Sequence, residues 1–456
     1  MRSTILATIL MSVLAATAAG QVWEKIPDAY PAKYYAIDVD GSTLWITTQG
    51  QGLLRYDHVG SVWGRFIEAD SGMRNDSWNY TFLVDRAGDK WVVRDTRETV
   101  DRLDDAGTYS KADDTWTYYS RDEEIVSRRV FSVAEDCDGN KWFGIRDEGS
   151  GEPTTVELLV EHDPATIDDD EWFAYDWQMA PDSTYFAADR VMALAVDQEC
   201  RLWIAYFTAG IDVWDYGNPR TYADDSWNHH TDADGLPSNH VRSLRVAPDG
   251  RVWAGTTDGL AVYDPDTASW EVHGGLPGVK ARAIDIDAHG HVWIGTEGGI
   301  AVLYSNGRVL ATYGVIDGLS HALIKDLTID RGTGRIFAIS EESEDSNVTS
   351  LNVFESGFEP LPADPEDAIF VYPNPWNASE ATKSMEEAIT FFGVREGSTV
   401  HILDVTGQEL RELRPTEPYT WDTLDDSLNE LPSGLYIARI ETPGGSVVFR
   451  RVAIVR

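Results

Sequence analysis

The chain has 456 residues, with 77 acidic against 37 basic side chains and a formal net charge of -40. That length accommodates two or three domains, and that charge argues against generic nucleic-acid binding, whose expected footprint is a basic surface. It suits a highly solvated protein in a salty medium.

The first element is a targeting segment. Arg2 supplies a positive start, and Ile5 to Ala19 form an apolar run that ends in small residues. Residues 1–20 therefore read as a signal peptide, cleaved after Ala18 or after Gly20. The run is too short for a membrane span, and no later stretch approaches 18 consecutive apolar residues. The mature protein is expected to be exported, soluble and without a membrane span.

A repeat follows. Seven anchors, Trp45, Trp91, Trp142, Trp203, Trp253, Trp293 and Phe337, recur at intervals of 46, 51, 61, 50, 40 and 44 residues. Before each lies a strand with period-two alternation, such as Ala36-Ile37-Asp38-Val39 or Ala283-Ile284-Asp285-Ile286. Six of these strands are closed by an Asp: Asp40, Asp85, Asp136, Asp197, Asp287 and Asp330, with Ala247 in the remaining copy. A turn glycine usually comes next, Cys200 standing in its place in the fourth copy. A unit of this size is one small antiparallel sheet that cannot bury its own faces, so the copies must stack. Residues 21–361 are thus expected to form a seven-bladed β-propeller. Val22-Trp23-Glu24-Lys25-Ile26 reads as a fourth strand with no repeat before it, and so as the strand that completes the last blade. Phe358-Glu359-Pro360-Leu361 is a competing closure.

The stretch Val246-Ala247-Pro248-Asp249-Gly250-Arg251-Val252-Trp253-Ala254-Gly255-Thr256-Thr257-Asp258-Gly259-Leu260, with its near copy ending at Gly299-Ile300, resembles the two-component regulator propeller repeat. That family implies a seven-bladed propeller, typically the periplasmic sensor half of a hybrid histidine kinase. No kinase or receiver pattern follows here, so signalling is not expected.

Residues 362–369 form a Pro- and acid-rich linker. Residues 370–456 read as a small β-sandwich of six or seven short strands, including Ile389–Phe392, Thr399–Asp404 and Gly434–Ile440. Tyr372-Pro373-Asn374-Pro375, Asp404-Val405-Thr406-Gly407, Trp421-Asp422 and Ser433-Gly434-Leu435-Tyr436 resemble the type IX secretion C-terminal sorting domain and the related FlgD-type immunoglobulin-like domain. The resemblance implies recognition by the type IX secretion machinery, outer-membrane passage and a cell-surface or extracellular location. Arg450, Arg451 and Arg456 stand where Lys is commoner in that family.

Propeller ligands bind at a mouth of the central channel. Aligning the copies places two columns at the start of the inner strands. One is Lys33, Trp78, Arg129, Arg190, His240, Lys280 and Leu323; the other is Tyr35, Tyr80, Phe131, Met192, Arg242, Arg282 and Lys325. Seven of these 14 positions are Lys or Arg and none is acidic, where the chain average of 37 in 456 gives about one. A positive funnel lined with aromatics would focus an anion and stack on sugar rings. Lys33, Tyr35, Trp78, Tyr80, Arg129, Arg190, His240, Arg242, Lys280, Arg282 and Lys325 of these columns, with His321, are the candidate ligand contacts, and an anionic glycan or other carboxylate is the expected ligand. The same cations could instead pair with acids of neighbouring blades.

A metal-assisted lyase, with His240 or His321 as base, is the alternative. Neither mouth column supplies an acidic metal ligand, and no serine-elbow, P-loop or paired-carboxylate motif occurs. No catalytic residue, metal ligand or cofactor is assigned. Asp38-Val39-Asp40-Gly41 and Asp136-Cys137-Asp138-Gly139 echo calcium loops but lack the later Glu. His229-His230 and His289-Gly290-His291 read as loop residues without a carboxylate at set spacing. Cys137 and Cys200 fall in the first turns of neighbouring copies, as a disulfide or as two separate thiols.

Overall fold

The computed structural model describes residues 23–68, 73, 79–94, 99–108, 111–120, 130–145, 154–161, 170–176, 190–217, 225–344, 346–355, 370–372, 376–377, 389–392, 394, 398–405, 407–413, 419–427, 429–441 and 447–455. The signal peptide, the linker, Trp78, Arg129 and the competing closure at 358–361 lie outside the described residues. Among those described there is no α-helix, only the 3-10 turns Asp232–Asp234 and Val315–Asp317. No helix among them is long and apolar enough to cross a membrane.

Between Glu24 and Glu355 the described strands form seven four-stranded antiparallel sheets. In six of them the strands lie in chain order, each sheet being a simple meander. The last sheet takes Leu323–Asp330, Arg335–Glu341 and Thr349–Glu355 from one end of the chain and Glu24–Lys25 from the other. Glu24 pairs with Val353, and Lys25 with Asn352. The first strand of each sheet packs on the first strand of the next, and Leu323–Asp330 packs on Lys33–Asp40. This is a β-propeller.

The repeat residues do what their chemistry requires. The seven anchor rings are fully or almost fully buried between sheets. Asp85 Oδ1 accepts the turn N–H groups of Ala87 at 3.0 Å and Asp89 at 2.9 Å, while its Oδ2 accepts Trp91 Nε1 at 2.8 Å. Asp197 holds Trp203 at 2.7 Å, and Asp287 holds Trp293 at 2.9 Å, in the same way. One carboxylate thus closes the turn and pins the ring that opens the next strand. Asp136 makes the turn bonds to Asp138 and Asn140 but offers Oδ2 to Tyr216 Oη at 3.0 Å. Asp40 points its carboxylate at Lys90 Nζ, 2.7 Å away in the second sheet.

Cys200 adopts φ +64°, the conformation its glycine counterparts take. An L side chain there is strained. It is joined to Cys137, Cα–Cα 5.7 Å, so that the turns of the third and fourth sheets are covalently tied.

The histidine pair corrects an expectation. His229 and His230 end the strand Ser226–His230 rather than lying in a loop. Antiparallel pairing sets Asp212 opposite His229, with Oδ1 at 2.6 Å from Nδ1. His291 also has a carboxylate, Asp287 Oδ2, at 3.0 Å from its Nδ1. Pairing between strands supplied the first partner, which residue spacing alone does not reveal.

The C-terminal residues form a three-stranded sheet (Phe370–Tyr372, Ile389–Phe392, Tyr419–Trp421) and a five-stranded one containing Thr399–Leu403, Glu409–Leu413, Gly434–Glu441 and Val447–Val455. Ile389, Phe391 and Trp421 of the first share one core with Val400, Ile402, Ala438, Ile440, Val452 and Ile454 of the second.

Candidate functional site

All seven inner strands carry a break in register, and it falls at the same place. Pairing skips from Tyr34 to Ile37, Asn79 to Thr81, Val130 to Ser132, Val191 to Ala193, Val241 to Ser243, Ala281 to Ala283 and Ile324 to Asp326. The residues left unpaired are Tyr35 with Ala36, then Tyr80, Phe131, Met192, Arg242, Arg282 and Lys325. This is the second mouth column, residue for residue. A bulge inserts an extra residue and re-aims its side chain, which is why bulges gather at rims and sites. Tyr35, Phe131, Met192, Arg242, Arg282 and Lys325 are all half-buried, each just after a buried residue. Nothing in composition or alternation announces this offset.

Five of the predicted residues converge where the sixth, seventh and first sheets meet. Lys325 Nζ lies 3.9 Å from the centre of the Tyr35 ring, and Lys33 Nζ lies 5.9 Å from it. Tyr35 is itself held by its hydroxyl, which donates to Gln49 Oε1 at 3.2 Å. Burial pushes Lys325 down to about 8, with the charges of Lys33 and Arg282 acting the same way against the pull of Glu341. Lys280 and Arg282 complete the group. A second group lies on the fourth and fifth sheets, where Arg190 stands 5.9 Å over the Phe207 ring and His240 meets that ring edge-on at 5.6 Å. His321 is half-buried just before the inner strand Leu323–Asp330. Trp78 and Arg129 are outside the described residues, and only the backbone of Tyr80 is described.

Two carboxylates belong to this mouth that the sequence reading missed. Lys33 Nζ sits 3.1 Å from Glu341 Oε1, a carboxylate with 3% side-chain exposure. Lys280 Nζ donates to Glu344 Oε1 at 2.8 Å, and Arg282 donates to the same oxygen. The hydrogen bond from Lys280, with the charge of Arg282, holds Glu344 below the usual carboxylate range. The signal was the run Glu341-Glu342-Ser343-Glu344-Asp345, which reads as a solvated acidic loop until it is placed opposite the basic columns.

Deeper in the channel the charge reverses. Asp38, Asp285 and Asp326 project from inner strands, and Arg245 pairs with Asp285 from the neighbouring fifth sheet. Arg331 Nη2 also reaches Asp285 Oδ1, at 2.8 Å. Beyond this waist is a cavity of about 460 Å³ lined by Leu83, Leu194, Leu244, Arg245, Asp287 and Arg331 among others. None of the predicted mouth residues lines it. Among the described residues, one His/Cys/Asp/Glu group lies at metal-ligand spacing, His401, Glu409 and Glu412 in the C-terminal piece; it includes neither His240 nor His321.

The fold and this mouth define an all-β propeller with Lys and Arg side chains gathered at the start of its inner strands. The model of the two component regulator propeller matches residues 235–258. No curated protein sequence matches the chain. Among solved structures, the chain is similar to PorZ of Porphyromonas gingivalis, an essential bacterial surface component of the type-IX secretion system. The identity is 18% and the TM-score 0.56, over 94% of this chain and 61% of that one. It is also similar to the extracellular domain of a putative hybrid two component system from B. thetaiotaomicron, with 15% identity, TM-score 0.56, and 96% and 58% of the two chains covered. Virginiamycin B lyase from Staphylococcus aureus shares 14% identity and a TM-score of 0.52, over 72% of this chain and 96% of its own. The chain therefore spans about three fifths of the first two structures. At these identities the likeness is one of fold.

Proposed function

We propose that this chain is an exported, non-catalytic, seven-bladed propeller that binds an anionic glycan at the mouth framed by its bulged residues. Its C-terminal residues 370–456 act as an immunoglobulin-like sorting domain for type IX secretion, leaving the propeller at the cell surface or in the medium. The observation that carries the binding reading is the coincidence of seven bulges with one column of residues. At the six bulges whose side chains are described, the extra residue is basic, aromatic or apolar and half-buried: Tyr35, Phe131, Met192, Arg242, Arg282 and Lys325.

The geometry suits a sugar acid. Tyr35 offers a ring face, Arg282 a planar fork for a carboxylate, and Lys325 a partly desolvated amine. The acidic waist below confines an anion to the mouth. The presence of PorZ among structures of similar fold, with four sorting-domain motifs in the sequence, supports the export reading.

A glycan array probed with the full chain tests the binding half. Acidic polysaccharides should be retained over neutral ones, and retention should fall as salt rises. Equal retention of neutral glycans would count against it. The export half is tested by deleting residues 370–456: the propeller should then remain inside the cell envelope, whereas unchanged secretion would exclude a sorting role.

A further inference from the structure

Glu344 differs from every other acid at the mouth. It comes from the connection between Arg335–Glu341 and Thr349–Glu355 in the last sheet, yet its carboxylate caps Lys280 and Arg282 of the sixth. A single oxygen takes both cations. Glu341 is built in, at 3% side-chain exposure, while Glu344 is 48% exposed.

We propose that Glu344 is an internal stand-in for the ligand, occupying the subsite that receives a uronate carboxylate, and that the acidic polysaccharide binds by displacing it. This rests on the proposed function of the same mouth. Lys33 meets Glu341, Lys280 and Arg282 both meet Glu344, Lys325 feels the charges of Glu341 and Asp326, and Glu297 takes the backbone N–H of Lys280. Among these carboxylates Glu344 is the one that bridges two cationic side chains from a half-exposed position. Lys280 and Glu344 are both half-exposed, so their ion pair contributes little to stability, and the more buried Arg282 is the cation whose pairing the ligand carboxylate must replace. A ligand carboxylate on Arg282 restores a charge-assisted fork and adds the stacking of its ring on Tyr35, which Glu344 cannot supply. Glu344 holds the two basic groups together and in place when the mouth is empty, and lowers the affinity for any weaker anion.

Titration calorimetry of the full chain with oligogalacturonate, and with a neutral galactan as control, reads this directly. Glu344→Gln keeps the shape and removes the competing charge. It should bind oligogalacturonate roughly one-and-a-half- to fivefold tighter than the parent, the range expected for losing an exposed ion-pair competitor. Arg282→Glu should abolish binding in both backgrounds. Binding by Glu344→Gln alone, with none by the parent, also supports the stand-in.

If the parent binds and Arg282→Glu abolishes it, but Glu344→Gln is unchanged or weaker, the stand-in is wrong and the mouth reading survives. If neither protein binds, both fail. Equal binding of a poly-glutamate peptide would overturn the uronate assignment. Because Glu344 is half-exposed, its variant should unfold at the parent's temperature, and that scan confirms that the comparison is between folded proteins.

Discussion

Asp326 Oδ2 accepts the backbone N–H of Ile37 at 2.9 Å, joining the last sheet to the first across 289 residues of sequence. Its Oδ1 accepts the N–H of Leu327 at 2.9 Å. The same device recurs at two other junctions, where Asp38 Oδ2 takes Val84 N at 3.2 Å and Asp285 Oδ2 takes Ile329 N at 3.0 Å. In each case an inner-strand Asp satisfies a donor of the next sheet, a bond that sheet packing alone would not make.

Burial pushes Asp326 up to about 7, with Asp38 and Asp285 adding to it. Arg245 and Arg331 face Asp285 in the same waist. A raised acid favours the protonated fold, so its contribution is complete below the unfolded carboxylate range, about 3.9, and fades as pH rises towards 7. Thermal midpoints of the parent and of Asp326→Asn, measured from pH 4 to 8, should differ in slope over that window, the variant being flatter. Parallel curves would remove Asp326 from the pH dependence.

The N-terminal strand contributes through Trp23. Its ring is 2% exposed, stacks on Phe354 at 5.2 Å and meets Tyr313 edge-on at 6.4 Å. Its backbone N–H donates to Asp317 O at 2.8 Å. Trp23→Ala should cost about 3–5 kcal/mol, the usual range for a buried Trp. Urea unfolding checks the value, and a loss below about 1 kcal/mol would show that ring closure does not depend on it.

The Cys137–Cys200 bond ties two turns separated by 63 residues. Replacing both by Ser should lower stability by about 2–4 kcal/mol in the loop-closure view. It also leaves position 200 with its positive φ and no covalent hold. Cys200→Gly with Cys137→Ser should therefore recover part of the loss. No recovery would mean that the strain at this turn is not significant.

Affinity for an acidic glycan should depend on the charge of Lys325. Held near 8 by burial, this amine is partly neutral in mildly alkaline solution. An anion at the mouth stabilises the protonated form, so binding takes up a proton. Affinity should be greatest below pH 8 and fall above it, with Lys325→Met removing that step. Calorimetry in two buffers of different ionisation heat measures the proton directly.

The fold was legible because each copy repeats one requirement: an apolar alternating strand, an Asp that bonds a turn, and an aromatic that fills the gap between sheets. Trp91, Trp203 and Trp293 with their Asp partners carry that pattern in residue types alone. Aligning on them was enough to collect Tyr35, Arg242, Arg282 and Lys325 in one column. The reason they share a fate was not legible. A bulge is an offset between two strands, and no single strand encodes it. Glu341 and Glu344 escaped for a related cause, being far in sequence from Lys33 and nearer but unaligned with Lys280. His229 escaped because Asp212 meets it only through pairing.

The double variant Arg242→Glu/Arg282→Glu tests most directly whether the mouth is the binding surface. Both residues occupy the bulge position of their sheets. Calorimetric titration with oligogalacturonate should show affinity falling by at least about tenfold, or 1.4 kcal/mol, with the thermal midpoint retained. Unchanged affinity in the folded double variant would contradict it.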